Sequence, residues 1–410
     1  MEREYRKIKL ACYSGSATMA VVGVMPSLLF TTFRDLYGIS YSLLGSLVVF
    51  FFFTQLLIDV VFSLFSHKFN IQKTVRLMPI ITIIGLVIFA VYPMLFPNSA
   101  YVGLVIGMVI FAVSAGLAEV LISPIIAEIP AKNPDHEMSK LHSMYAWCSV
   151  FVVIISTLFI LVFNGKNWHY LVLLIAIVPL LSFIFFMRAN IPNLKTTESS
   201  LGALKMLKNK QVWLMFIAIF LGGATECTMA QWSSSFIERA LQINKVWGDL
   251  FGVALFSIML GLGRSLYAKY GKNIEKMLAI CGALSIVCYL TAALINVPVI
   301  GLMACALTGL TSSLMWPGSL TVAEKRVPYG VFIYAFMAAG GDMGASLGPQ
   351  AIGIAVDFVS ENFTSLAQTL NLTAEQLGMK AGMLLGAIFP ILAFIVYLII
   401  YKTTNKKPNN

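Results

Sequence analysis

The sequence predicts an all-α membrane protein of twelve transmembrane helices in two pseudo-symmetric six-helix bundles. Three observations carry this. The 410 residues are 59% hydrophobic and only 11% charged, with a mean hydropathy of +0.86; a soluble domain would carry about a quarter charged residues. The apolar residues gather into stretches of about 20, the length a helix needs to cross a bilayer. The basic residues sit in alternate loops.

In chain order the expected spans are Ile8–Phe33, Leu43–Phe65, Val75–Leu95, Tyr101–Ala127, Met138–Phe163 and Tyr170–Met187, then Val212–Ile237, Val246–Ala268, Ile274–Ile295, Val297–Val322, Val331–Phe358 and Ala381–Tyr401. With the N-terminus in the cytoplasm, 23 of the 28 Lys and Arg fall on inside segments. Arg34, Lys166, Arg239, Lys245 and Lys380 fall outside. Cytoplasmic loops of membrane proteins are enriched in Lys and Arg, so this asymmetry predicts a multi-pass cell-membrane protein with both termini cytoplasmic. The net charge of +10 therefore reads as a topology signal and calls for no nucleic acid. The six cysteines all lie in apolar stretches, without metal-ligand spacing. The first apolar segment lacks a clear cleavage site and reads as a retained helix.

The two halves echo each other. Asn70-Ile71-Gln72-Lys73 recurs as Asn273-Ile274-Glu275-Lys276 at an offset of 203, and Gly116-Leu117, Leu121 and Pro124 recur as Gly309-Leu310, Leu314 and Pro317 at an offset of 193. Parallel repeats of this kind build transporters whose solute site lies near the bilayer midplane. The expected organisation is an N-terminal bundle over 1–189, a cytoplasmic linker over 190–210 and a C-terminal bundle over 211–410.

An ionisable side chain inside a span is costly, and it is a functional hypothesis by default. Glu119 sits in span 4, with Ser123 on the same helical face and Pro124 beyond. Pro124 has no N–H and leaves the Val120 carbonyl without its helical donor. A carboxyl beside such an irregularity suits reversible proton binding; a hydrogen-bonded structural acid is the alternative. Glu226 follows Gly222 and Gly223 in span 7. Gln231, five residues on, lies about 140° round a regular helix, so both face one cavity only if the helix breaks. Asp342 is flanked by Gly340, Gly344 and Gly348, a small-residue stripe suited to close helix packing. It should point away from that stripe toward a cavity or a polar partner.

Glu119, Glu226 and Asp342 are thus the expected proton-coupling residues. Gln231, Trp232, Trp316, His142 and Tyr145 are candidates for solute contact, with core packing the plainer reading of the aromatics. Asp59, Arg264, Pro124, Pro317 and the three glycines are expected in gating or structural roles, and Arg264 is open to a snorkelling reading.

The helix-4 segment Gly116-x-x-Glu119-x-x-x-Ser123-Pro124 resembles the Gly-x-x-Glu-x-x-x-Asn-Pro motif of fucose-permease-like sugar–proton symporters, with Ser123 replacing Asn. Met138 to Val150, with Leu141-His142-Ser143-Met144-Tyr145, resembles the same branch. The 6+6 plan and the basic loops after helices 2 and 8 resemble the major facilitator superfamily over essentially the whole chain. The first loop, Ser66-His67-Lys68-Phe69-Asn70-Ile71-Gln72-Lys73, departs from the usual Asp-Arg-x-Gly-Arg pattern. The resemblance implies the major facilitator fold and proton-coupled uptake, with Glu119 in the coupling position. Fucose permeases carry an Asp in helix 1; none lies between Ile8 and Phe33 here, so a sugar does not follow from the likeness.

The expected function is therefore secondary active transport of a small polar solute, sugars among the candidates, by alternating access and proton symport. The alternative is a proton-coupled drug or metabolite exporter working as an antiporter. No HExxH, nucleotide-binding glycine loop or separate soluble domain speaks for an enzyme or a sensor. The expected partners are solute, protons and lipid, with no cofactor or metal, and the chain is expected to be a monomer.

Overall fold

The computed structural model describes residues 2–65, 68–130, 134–192, 208–326 and 331–405, which form helices with no strand among them. The helices are α1 (Glu2–Leu28), α2 (Phe30–Tyr37), α3 (Tyr41–Phe65), α4 (Ile71–Leu95), α5 (Ala100–Ala127), α6 (Pro134–Phe163), α7 (Trp168–Ile175) and α8 (Ile177–Arg188). After these come α9 (Lys210–Arg239), α10 (Lys245–Gly248), a π-turn over Asp249–Ala254, α11 (Leu255–Tyr270), α12 (Ile274–Leu294), α13 (Pro298–Ser312), α14 (Met315–Arg326), α15 (Val331–Asn362), α16 (Thr364–Thr369), α17 (Ala374–Gly386) and α18 (Ile388–Asn405).

Eleven helical stretches among the described residues are long and apolar enough to span a membrane. The twelfth expected span is α15, 32 residues long and so about 48 Å. Three helix breaks, at Ala176, Leu314 and Ala387, each precede a proline by three residues (Pro179, Pro317 and Pro390). The missing proline N–H removes one intrahelical bond and the ring crowds the preceding turn, which explains the repeated spacing. The first expected span, Ile8–Phe33, is likewise interrupted. Pro26 lies inside α1, and the helix closes with a tighter turn, Leu29 N to Pro26 O at 3.0 Å, before α2 begins.

The chain divides into two compact units, Met1–Ile39 with Phe50–Ser200, and Ser40–Val49 with Leu201–Asn410. The first turns of α3 thus group with the second unit. The expected linker over 190–210 lies mostly outside the described residues.

In the first unit, α4 and α5 approach through glycines: a Cβ at Gly85 would lie 2.6 Å from Phe111 N, and one at Gly107 would lie 2.6 Å from Phe89 N. Phe33, Phe89 and Trp168 pack edge to face above them, with ring centroids 4.9 to 5.9 Å apart. In the second unit, α9 packs on α15 through the predicted stripe. A Cβ at Gly344 would lie 2.0 Å from the Phe220 carbonyl oxygen, and one at Gly348 would lie 3.1 Å from Ala224 O. Asp357 of α15 caps the start of α3, its carboxylate accepting from Tyr41 N at 3.1 Å and Ser42 N at 2.6 Å.

The sequence repeat has a local cause. Asn70 caps α4 by accepting from Lys73 N at 3.0 Å, and Asn273 caps α12 by accepting from Lys276 N at 2.9 Å. An asparagine in that position satisfies one of the donors left over at a helix start.

Candidate functional site

Each unit contains a polar centre built on closely packed helices. In the first, α3 and α5 meet at Gly116, where a Cβ would lie 3.1 Å from Gln55 Cα and 3.0 Å from Ile58 Cβ. That approach sets Gln55 over Glu119, and its Nε2 donates to Glu119 Oε2 at 3.2 Å. Asp59 lies one turn beyond Gln55 on the same face of α3. It is buried, and its carboxylate approaches that of Glu119 to within 4.8 Å. The centre therefore offers two carboxyls and an amide. A proton can be taken up or released there while hydrogen bonding is kept, because the amide can present either a donor or an acceptor. Tyr145 of α6 sits over α1, its hydroxyl oxygen 2.9 Å from where a Cβ on Gly23 would stand. The His142 side chain lies outside the described residues.

In the second unit, Arg264 of α11 meets Glu226 of α9. Its Nη2 lies 3.1 Å from Glu226 Oε1 and 3.3 Å from Oε2. Its Nε donates to the Ser313 carbonyl at 3.1 Å. Ser313 is the residue whose helical donor would be the N–H of residue 317, and residue 317 is proline. Pro317 thus frees an acceptor, and Arg264 takes it. Gly263 permits the approach, since a Cβ there would lie 2.2 Å from Ser313 Oγ. Arg264 is therefore tied to Glu226 of α9 and to the main chain between α13 and α14.

Beside this pair, the ring of Trp316 sits against Gly223 and Gly341, where added Cβ atoms would lie 3.0 Å and 2.4 Å from it. Asp342, the next residue, is almost wholly buried. α9 runs unbroken from Lys210 to Arg239, so Glu226 and Gln231 occupy different faces of one regular helix. Trp232 is fully enclosed and donates its indole N–H to Pro349 O at 2.9 Å.

Two groups escaped the sequence reading. Gln55 is a polar residue after a run of phenylalanines and four residues before Asp59, a spacing that signals a shared face. Asp249 is buried at the π-turn, accepts from Ser234 Oγ at 2.5 Å and pairs with Lys245 at 3.4 Å. The signal was a Lys and an Asp four residues apart at the start of a span.

A family model described as Major Facilitator Superfamily matches residues 10–349. The chain belongs to the major facilitator superfamily. The superfamily fold extends over the whole chain in solved structures. A bacterial homolog to the human lysosomal transporter Spinster, inward-facing and unoccupied, superposes with a TM-score of 0.78 at 11% identity, covering 98% of both chains. The E. coli fucose:proton symporter gives 0.65 at 13% identity, covering 98% of this chain and 100% of that one. A D-xylose-proton symporter gives 0.70 at 15% identity, covering 94% and 97%. At these identities the likeness shows the fold alone. No curated protein matches the sequence. The chain is a multi-pass membrane protein of a transporter superfamily.

Proposed function

We propose that the chain is a secondary active transporter of the cell membrane, with both termini cytoplasmic, that moves a small polar solute together with protons. The observation that carries this reading is the polar centre of the first unit. Glu119 lies on α5 in the position that resembles the symporter motif, with Gln55 bonded to it and Asp59 within 4.8 Å. Carboxyls are expensive inside a membrane and persist where they face a pathway or exchange protons. Coupling requires that proton and solute each change the other's binding free energy, and a carboxyl that alternates between charged and neutral supplies the proton half of that exchange. Sugar–proton symport, the activity of two of the solved structures with the same fold, is the first class to try.

The direct test is proton movement. Proteoliposomes holding the chain and a trapped pH-sensitive dye are given sugars, polyols and their acids in turn. Symport predicts internal acidification when a transported solute is added outside. Internal alkalinisation on addition of solute identifies an antiporter. Solute entry without any pH change removes proton coupling from the reading.

A further inference from the structure

We infer that Arg264 is a binding site for a carboxylate group on the transported solute, and that Glu226 occupies it in the solute's absence. The inference rests on the transporter reading above and adds the substrate class.

Arg264 is held as a binding residue must be. Its Nε is tied to the Ser313 carbonyl at 3.1 Å, an acceptor that exists because Pro317 cannot donate there. One edge of the guanidinium is therefore fixed by backbone. Both Glu226 oxygens converge on the single nitrogen Nη2, at 3.1 and 3.3 Å. A guanidinium has five N–H donors in a planar fork. No hydrogen bond from Nη1 to a described residue is formed, and the Arg264 side chain is 30% exposed against 13% for Glu226. Nη1 is therefore the guanidinium nitrogen left for a further acceptor, on the more exposed partner of the pair.

The ligand class follows from charge. While Glu226 is ionised, the pair is neutral and a second anion gains little. When Glu226 takes a proton, the arginine charge loses its counter-ion, and an uncompensated charge in a poorly solvated site is costly. A carboxylate restores neutrality and fits the planar fork, with two acceptor oxygens for parallel N–H donors. Hydroxyl groups of a neutral sugar satisfy the donors without balancing the charge. Proton and carboxylate therefore favour each other's binding, reciprocally. The other titratable groups around Glu226 are Tyr397 of α18, Tyr289 of α12, whose hydroxyl donates to Thr225 O at 2.7 Å, Cys227 beside it on α9, and Asp342 of α15, which follows the glycine packed on Gly223. Among them only Asp342 is a second acid.

The test uses the purified chain in detergent and reads thermal unfolding against concentration of matched probes. These are gluconate with glucitol, and lactate with propane-1,2-diol, at constant ionic strength, across mildly acidic to mildly alkaline buffer. Wild type should be stabilised by at least one carboxylate and not by its neutral partner, more strongly as pH falls. Arg264→Gln should weaken the half-maximal concentration at least about tenfold. Glu226→Gln should keep the carboxylate effect and lose its pH dependence. Arg264→Gln leaves Glu226 unpaired and invites misfolding. The double variant Arg264→Gln with Glu226→Gln removes both charges together, and it should fold and show no carboxylate effect. Three results overturn the inference: no carboxylate effect in wild type at any pH, equal stabilisation by the neutral partner, or a carboxylate effect that survives in the double variant. Proton-coupled movement of a neutral solute in proteoliposomes would likewise overturn it while leaving the proposed function standing.

Discussion

Arg264 and Ser313 are joined by a hydrogen bond from the guanidinium Nε to a main-chain carbonyl at 3.1 Å, and the carbonyl is available because Pro317 interrupts the helix. Pro317, expected in a gating or structural role, thus orients an arginine on another helix toward Glu226. Pro317→Ala would return an N–H to that carbonyl. Pro317 stands in the first turn of α14, where a proline costs little, so the variant should unfold close to wild type. It should nevertheless lose transport, because the guanidinium loses its backbone anchor. Thermal unfolding and transport measured on the same preparation check this; unchanged transport would show that the anchor is dispensable.

Packing between α9 and α15 tolerates little at Gly344. A side chain there meets the Phe220 carbonyl oxygen at 2.0 Å, and backbone cannot step aside cheaply. At Gly340 the nearest atoms belong to the Phe216 ring, at 2.9 Å. Gly344→Leu should abolish the monodisperse peak in size-exclusion of detergent extract. Gly340→Ala should lower its yield only modestly, in line with overpacking costs of about 1–3 kcal/mol.

Asp357 accepts two backbone N–H groups and the Ser42 hydroxyl, the last at 2.5 Å, at the start of α3. The Tyr41 hydroxyl donates to Glu375 beside it. Loss of a cap costs about 0.5–2 kcal/mol. Asp357→Ala should therefore lower the unfolding temperature measurably, and Asp357→Asn, which keeps one acceptor oxygen, should lower it less. Equal loss in both would mean that the negative charge matters more than the acceptor geometry.

The spans were legible in the sequence because a bilayer demands about 20 apolar residues from each helix. The α15 glycine stripe was legible for a similar reason, since spacing of four places residues on one face. The break in the first span was not foreseen, because Pro26 acts through the geometry of the turn after it. The partners of the buried acids were also hidden. Gln55 and Glu119 stand 64 residues apart, and Arg264 and Glu226 stand 38 apart. Which helices touch depends on packing such as that of Gly116 on α3 and Gly263 on Ser313. One sequence shows those glycines without showing what they pack against. Arg264 is the clearest case: its position near the end of an apolar run is legible, but its bond to the Ser313 carbonyl is not.

In the proposed function, Glu119 exchanges protons with the transport cycle. Gln55 belongs to the same centre, so Gln55→Leu should alter the pH at which uptake is half-maximal while leaving solute exchange in place. The decisive variant is Glu119→Gln, which fixes a neutral side chain of nearly the same shape. The measurement is accumulation of the solute identified by dye-monitored proton movement, in proteoliposomes with and without an imposed pH gradient, alongside counterflow with the gradient dissipated. Glu119→Gln should lose gradient-driven accumulation and retain counterflow, because exchange needs no net proton release. Undiminished pH-driven accumulation by Glu119→Gln would show that Glu119 does not couple protons to transport.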